Sequence, residues 1–237
     1  MIESRLNIYY QITLDWTTSF FSDAFIISPC LKSVKAKRLG EKMFDNREAE
    51  EKMPGELAQL KDILKRRKSV RFGQFTLASG ATSDVYVDAR LTTCAAEAMP
   101  LIGRAFLNKM RARGWAPDAV GGLTSGADPI ACAIARESLD TSRAIDAFFV
   151  RKEQKGYGMQ RMVEGIDPTE GKKVVILEDV CTKGGSTATA IKNAEAVGMQ
   201  VLGVICLVDR EMGARELLEG EMGHPFDSIF KLSDFRD

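Results

Sequence analysis

The chain has 237 residues, with 33 basic and 33 acidic side chains and no net charge at neutral pH. That balance removes the global electrostatic argument for nucleic acid or an anionic membrane as partner, and no apolar run reaches the roughly 18 residues of a membrane span. A single histidine, His224, nearly excludes a histidine-based metal site or triad, and five scattered cysteines without a CxxC pair suggest free thiols in a reducing, cytoplasmic compartment.

Residues 1–52 read differently from the rest. Their start is apolar and aromatic without a clean period, and "LKSVKAKRLGEKMFDNREAEEK" after it is charged. Glu3, Asp15 and Asp23 interrupt the start and argue against a signal or transit peptide. The segment is read as an extension, either poorly ordered or the product of a misplaced start codon, with a partner-docking segment as the alternative, and residues 53–237 forming one domain. From Met53 the pattern is regular. Leu57, Leu60, Ile63 and Leu64 recur at helical intervals. "FGQFTLASGATSDVYVDAR" predicts strand, turn and strand. "AEAMPLIGRAFLNKMRARG" predicts a helix with Pro100 in its first turn and Gly114 at its end. "DAVGGL", "AIDAFFVRK", "KKVVILED" and "QVLGVICLVDR" predict strands, the last two buried on both faces. "ADPIACAIARESL" and "STATAIKNAEAVG" predict helices between them. Strands alternating with helices from about residue 115 predict an α/β fold with a mainly parallel sheet flanked by helices.

The stretch "VVILEDVCTKGGSTATAI" carries the chemistry. Ligands of open parallel sheets bind beyond the carboxyl ends of the strands, where Glu178 and Asp179 stand. Residues 182–187 then lead to a helix amino terminus, whose N–H groups and dipole favour a phosphate. Gly184 and Gly185 allow close backbone approach, while Thr182, Ser186 and Thr187 add hydroxyls. Two acids beside a phosphate cradle make sense if they accept hydrogen bonds from sugar hydroxyls of the same ligand. The spacing therefore predicts a site for a ribose carrying a 5-phosphate. A P-loop is excluded because Lys183 precedes the glycines, and no GxGxxG dinucleotide fingerprint exists.

This string resembles the phosphoribosyl-pyrophosphate (PRPP) motif of type I phosphoribosyltransferases. "FGQFTLASGATSDVYVDAR" resembles the small amino-terminal hood of the orotate phosphoribosyltransferases, "FFVRKEQKGYG" their catalytic loop, "GGLTSGADPIACAIA" their pyrophosphate loop, and "CLVDR" a strand whose arginine helps hold orotate. The resemblance runs from about residue 53 to the end. It implies transfer of a phosphoribosyl group from PRPP to orotate, giving orotidine 5′-monophosphate and pyrophosphate in pyrimidine synthesis. It implies that Glu178 and Asp179 hold the ribose hydroxyls and that Val180, Cys181, Thr182, Lys183, Gly184, Gly185, Ser186 and Thr187 complete the PRPP site. Arg151, Lys152, Lys155 and Tyr157 would act on the pyrophosphate, and Thr182, Arg210, Tyr86 and Val87 would face orotate. Mg²⁺ would arrive with PRPP, without direct protein ligation. A homodimer is implied, with loop 151–165 completing the neighbour's site, and neither nucleic acid nor membrane as partner.

The chain departs from the family pattern at three places. Tyr157 stands where many members have histidine, and lysines that some members carry at the position of Ala78 and near Gly126 are missing. Lys183 is expected to compensate from the phosphate loop. Two alternatives compete: a PRPP-binding regulator, for which "KSVKAKR" is too short a DNA-binding segment, and a phosphoribosyltransferase for another base, against which the hood and "CLVDR" stretches argue. Cys181 reads either as small apolar filler or as a redox-sensitive thiol.

Overall fold

The structure, a computed structural model, describes residues 46–76, 82–152 and 161–236, with side chains from Pro54 onward. Helix α1 (Asn46–Arg66) places Leu60, Ile63 and Leu64 wholly inside the core, as their spacing predicts. It begins upstream of Met53, so the boundary read at residue 52 falls inside a helix. Strands β1 (Val70–Thr76) and β2 (Thr82–Val87) pair antiparallel as the predicted hood, with Arg71 opposite Tyr86. Their tip, including Ala78, lies outside the described residues. A short helix α2 (Arg90–Thr93), which no periodicity announces, follows the hood.

The rest follows as α3 (Met99–Ala112), β3 (Ala119–Leu123), α4 (Asp128–Ser138), β4 (Asp146–Val150), β5 (Val163–Glu164), β6 (Lys173–Cys181), α5 (Gly185–Ala196), β7 (Gln200–Asp209) and β8 (Phe226–Lys231), all but β5 and β8 as predicted. The sheet runs β5-β4-β3-β6-β7-β8. All neighbouring pairs are parallel except β5, which lies antiparallel on β4. Strands β5 and β8 were not anticipated, because a two-residue strand and a short edge strand carry little periodic signal. A π-helical turn (Glu216–Glu221) precedes β8.

Two apolar layers sandwich the sheet. Val175 and Leu177 of β6 pack on the face of α1, α3 and α4, while Val174 and Ile176 pack on the α5 face. Glu178 continues the α5 side, yet Val180 packs against the opposite core. The ladder with β7 stays in register through Cys181, so Glu178 and Asp179 stand side by side at the carboxyl end of a paired strand. Among the described residues no helix is long and apolar enough to cross a membrane.

Candidate active site

The acids come first. Glu178 is 6% exposed, and its Oε2 accepts hydrogen bonds from the hydroxyls of Ser186 (2.7 Å) and Thr187 (3.2 Å). Burial, helped by the adjacent Asp179 charge, pushes the Glu178 carboxyl up to about 7 against the opposing Ser186 hydroxyl. Burial also raises Asp179, opposed by the Val180 N–H, which donates to its Oδ1 at 2.8 Å, and by the Arg90 charge. Two desolvated acids side by side are stabilised by further hydrogen-bond donors or positive charge. A diol supplies such donors.

The phosphate end is built next to them. Gly184 has φ of +79° and forms the amino-terminal boundary of α5, where no side chain caps the helix. A left-handed residue there favours glycine. The Ala188 N–H donates to the Gly184 carbonyl at 2.8 Å, which begins the helical ladder. The N–H groups of Gly185, Ser186 and Thr187 precede that ladder and find no carbonyl within the helix. A Cβ on Gly185 would meet nothing within 4 Å, so the turn opens to solvent. These amides and the helix dipole form an anion site about one turn from the carboxylates.

The hydroxyls do not all take the role read from the sequence. Thr187 is fully buried, between Glu178 and the Cys181 thiol (3.7 Å). Its side chain supports the acid, and its backbone N–H is one of the uncapped amides of the helix start. Ser186 is exposed but also donates to Glu178, so the two hydroxyls hold one carboxylate oxygen in place. Lys183 is exposed and Thr182 half-buried at the turn. Cys181 is 1% exposed and packs in the α5-side core, which fits the filler reading and denies a sensor thiol its access.

Other elements converge on the pair. Gly126, in the turn between β3 and α4, stands so close that a Cβ there would lie 2.5 Å from Asp179 Oδ1 and 3.2 Å from Glu178 Oε1. Any side chain at this position would have to displace the Asp179 carboxylate. Arg90 is held by Asp88 (Nε–Oδ1 2.9 Å). Its guanidinium is raised chiefly by that carboxylate, with smaller contributions from Asp179 and Tyr86, which brings the hood to the acids. The Arg71 guanidinium lies 4.7 Å over the Tyr86 ring and 5.7 Å over Phe75. Tyr86 and Val87 are half-buried beside it. The Arg210 N–H donates to the Cys181 carbonyl at 2.8 Å, tying the end of β7 to the phosphate turn. Its Nε is buried with no hydrogen-bond partner among the described residues, a donor still to be satisfied. Arg151 forms a two-point ion pair with Glu164, and Lys152 is exposed next to it. Lys155, Gly156, Tyr157 and Gly158 lie outside the described residues.

Sequence reading missed Gly126 as a neighbour of the acids, and it missed Arg71, Arg90 and Glu164. The resemblance of "GGLTSGADPIACAIA" to a pyrophosphate loop placed the first near the ligand but not against the acids. Single charges on a hood or a short strand give no signal.

A phosphoribosyl transferase domain model matches residues 95–222, which span β3, the acids and α5. The orotate phosphoribosyltransferase of Corynebacterium glutamicum (strain R) is 45% identical over 177 residues, covering 75% of this chain and 92% of the relative. The chain belongs to the orotate phosphoribosyltransferase family. The Aquifex aeolicus member is 48% identical over 160 residues, 68% of this chain and 85% of its own. The solved Mycobacterium tuberculosis orotate phosphoribosyltransferase in complex with PRPP superimposes with a TM-score of 0.63 at 38% identity, over 76% of this chain and 98% of that one. The family's fold is the one described above, a mostly parallel sheet between helices.

Proposed function

We propose that this protein is an orotate phosphoribosyltransferase that moves the phosphoribosyl group of PRPP onto orotate, releasing pyrophosphate and orotidine 5′-monophosphate. The observation that carries this reading is the juxtaposition of two buried carboxylates with an uncapped helix amino terminus. The amides of residues 185–187 hold the 5-phosphate. Glu178 Oε1 and the Asp179 carboxylate accept from the ribose hydroxyls, while Ser186 and Thr187 fix Glu178 from behind. Once the diol is bound, its donors favour the ionised acids, which burial alone disfavours.

The bond from the anomeric carbon to the pyrophosphate oxygen breaks, and the electron pair leaves with the pyrophosphate. A ring nitrogen of orotate forms the new bond to that carbon and gives up its proton, which the released pyrophosphate, itself a base, or water takes up. Negative charge grows on the leaving group, so donors and cations aimed at it lower the barrier. Arg151, Lys152 and Lys155 supply them, with Tyr157 as a hydrogen-bond donor. The planar Arg210 fork, with its unsatisfied Nε, suits the orotate carboxylate. Thr182 lies at the junction of the two substrates, and Tyr86 and Val87 flank the base.

Mg²⁺ fits this site as an ion carried by PRPP. The two buried acids supply nearby negative charge for a hard cation. When bound it neutralises charge on the pyrophosphate. The four described cysteines are free, in keeping with a reducing cytoplasm. The protein works as a homodimer in this reading, with loop 151–165 reaching the neighbour's site.

The test is the fall in orotate ultraviolet absorbance on adding PRPP and Mg²⁺. Orotate is consumed if the reading is right. Consumption of adenine, hypoxanthine or uracil in its place would assign another base, and binding of PRPP with no base consumed would favour a regulator.

A further inference from the structure

The ion pair of Arg151 and Glu164 joins the two sides of the β4–β5 hairpin. Val150, the last residue of β4, is fully buried and pairs with Val163, while Phe149 pairs with Glu164. The Arg151 N–H donates to the Met162 carbonyl at 2.9 Å, so the backbone is fixed on both sides. Arg151 Nε then reaches Glu164 Oε1 at 2.8 Å, and its Nη2 reaches Oε2 at 2.9 Å. Both carboxylate oxygens are engaged. A parallel pair of N–H···O bonds sets the plane as well as the place of the guanidinium, which one contact would not do.

We propose that Glu164 is a positioning residue for the transferase reaction, holding the Arg151 guanidinium in the plane from which it meets the departing pyrophosphate. The inference rests on the proposed function, in which Arg151 contacts that group. The side chains are 33% and 36% exposed, and an ion pair at such exposure adds little to fold stability. A two-residue strand would gain as much from any polar side chain on its outer edge. What a carboxylate adds is orientation. An arginine on the first residue after a strand has four torsions to fix before its fork points anywhere, and Glu164 fixes the terminal ones before substrate arrives. Preorganised donors stabilise developing charge without reorganising at the moment of reaction.

The experiment compares Glu164→Ala, Glu164→Asp, Arg151→Ala and the double Glu164→Ala/Arg151→Ala variant in the full chain. In the forward reaction kcat is measured, and in the reverse reaction KM for pyrophosphate. Glu164→Ala is expected to lower kcat about tenfold and raise KM for pyrophosphate, the scale on which a misplaced catalytic group is felt. Thermal unfolding should move little. Glu164→Asp keeps the charge and both oxygens and should recover part of the loss. In the Arg151→Ala background, Glu164→Ala should cost nothing further, because a residue acting through another is silent without it. Losses that simply multiply, or a lower melting temperature with unchanged kinetics, would overturn the inference. An impaired Arg151→Ala with a fully active Glu164→Ala would overturn it while leaving the role of Arg151 intact. A fully active Arg151→Ala would remove that role, and the inference with it.

Discussion

The β6–α5 turn and the β4–β5 hairpin lie at the same end of the sheet and are built in opposite ways. In the turn, most polar groups find partners within ten residues: Ser186 and Thr187 hold Glu178, Val180 holds Asp179, and Gly184 opens the helix. The site is rigid because its strand is buried on both sides. In the hairpin, β5 is two residues long and the Arg151–Glu164 ion pair orients the cation. The difference suits the chemistry that the proposed function gives to each. A sugar phosphate is recognised by fixed groups, whereas a leaving group that gains charge is met by cations on longer side chains.

If this division is right, the largest effects belong to the turn. Asp179→Asn, which keeps shape but removes an acceptor charge, should lower kcat/KM for PRPP by about 100-fold or more, since a buried partner is left mispaired. Steady-state kinetics with varied PRPP checks it, and a loss below about threefold would make the acid pair incidental. Gly126→Ala comes next. Its Cβ would fall 2.5 Å from Asp179 Oδ1, so the acid must shift. We expect roughly a tenfold loss in kcat/KM, on the order of 1–3 kcal/mol of overpacking, with the fold kept by circular dichroism.

The third prediction turns on protons. Glu178 titrates near 7 in the fold and near its ordinary carboxylate value when unfolded. The folded state therefore holds more protons between those values, and its stability falls as pH rises through that window. Glu178→Gln removes this dependence. At pH 8 the ligand-free variant should melt several degrees above the wild type, for about 1–2 kcal/mol, and at pH 4 the gap should close, while PRPP binding is lost. A variant less stable at both pH values would contradict the burial account. The smallest effect is expected at Lys183, exposed on the turn. Lys183→Ala should raise KM for PRPP two- to fivefold or so, as loss of a solvated charge near a phosphate does. An unchanged KM would leave the turn's amides sufficient by themselves.

The same contrast explains what could be read from the sequence. The turn was legible because its signals are local. A continuous apolar run, two acids, two glycines and a helix pattern lie within 18 residues of each other in the chain. The alternation of strands and helices gave the parallel sheet for the same reason. Strand β8 and the two-residue β5 escaped, since their place depends on pairing with β7 and β4 rather than on any period of their own. Gly126 was visible only as part of a stretch resembling a pyrophosphate loop; its closeness to Asp179 comes from β3 lying beside β6. That the hydroxyls of Ser186 and Thr187 also hold Glu178 was not legible, because composition does not reveal which side chains a buried carboxylate engages. Arg90, Arg71 and Glu164 are single charges whose partners lie across a hairpin or a turn, and no spacing marks them.

The most direct test is titration calorimetry of PRPP with Mg²⁺ into the wild-type protein and into the Glu178→Gln/Asp179→Asn variant. The wild type should release heat with one site per chain, and the variant, still folded, should release none. Equal heats from both proteins would show that the paired carboxylates at the end of β6 do not grip the sugar.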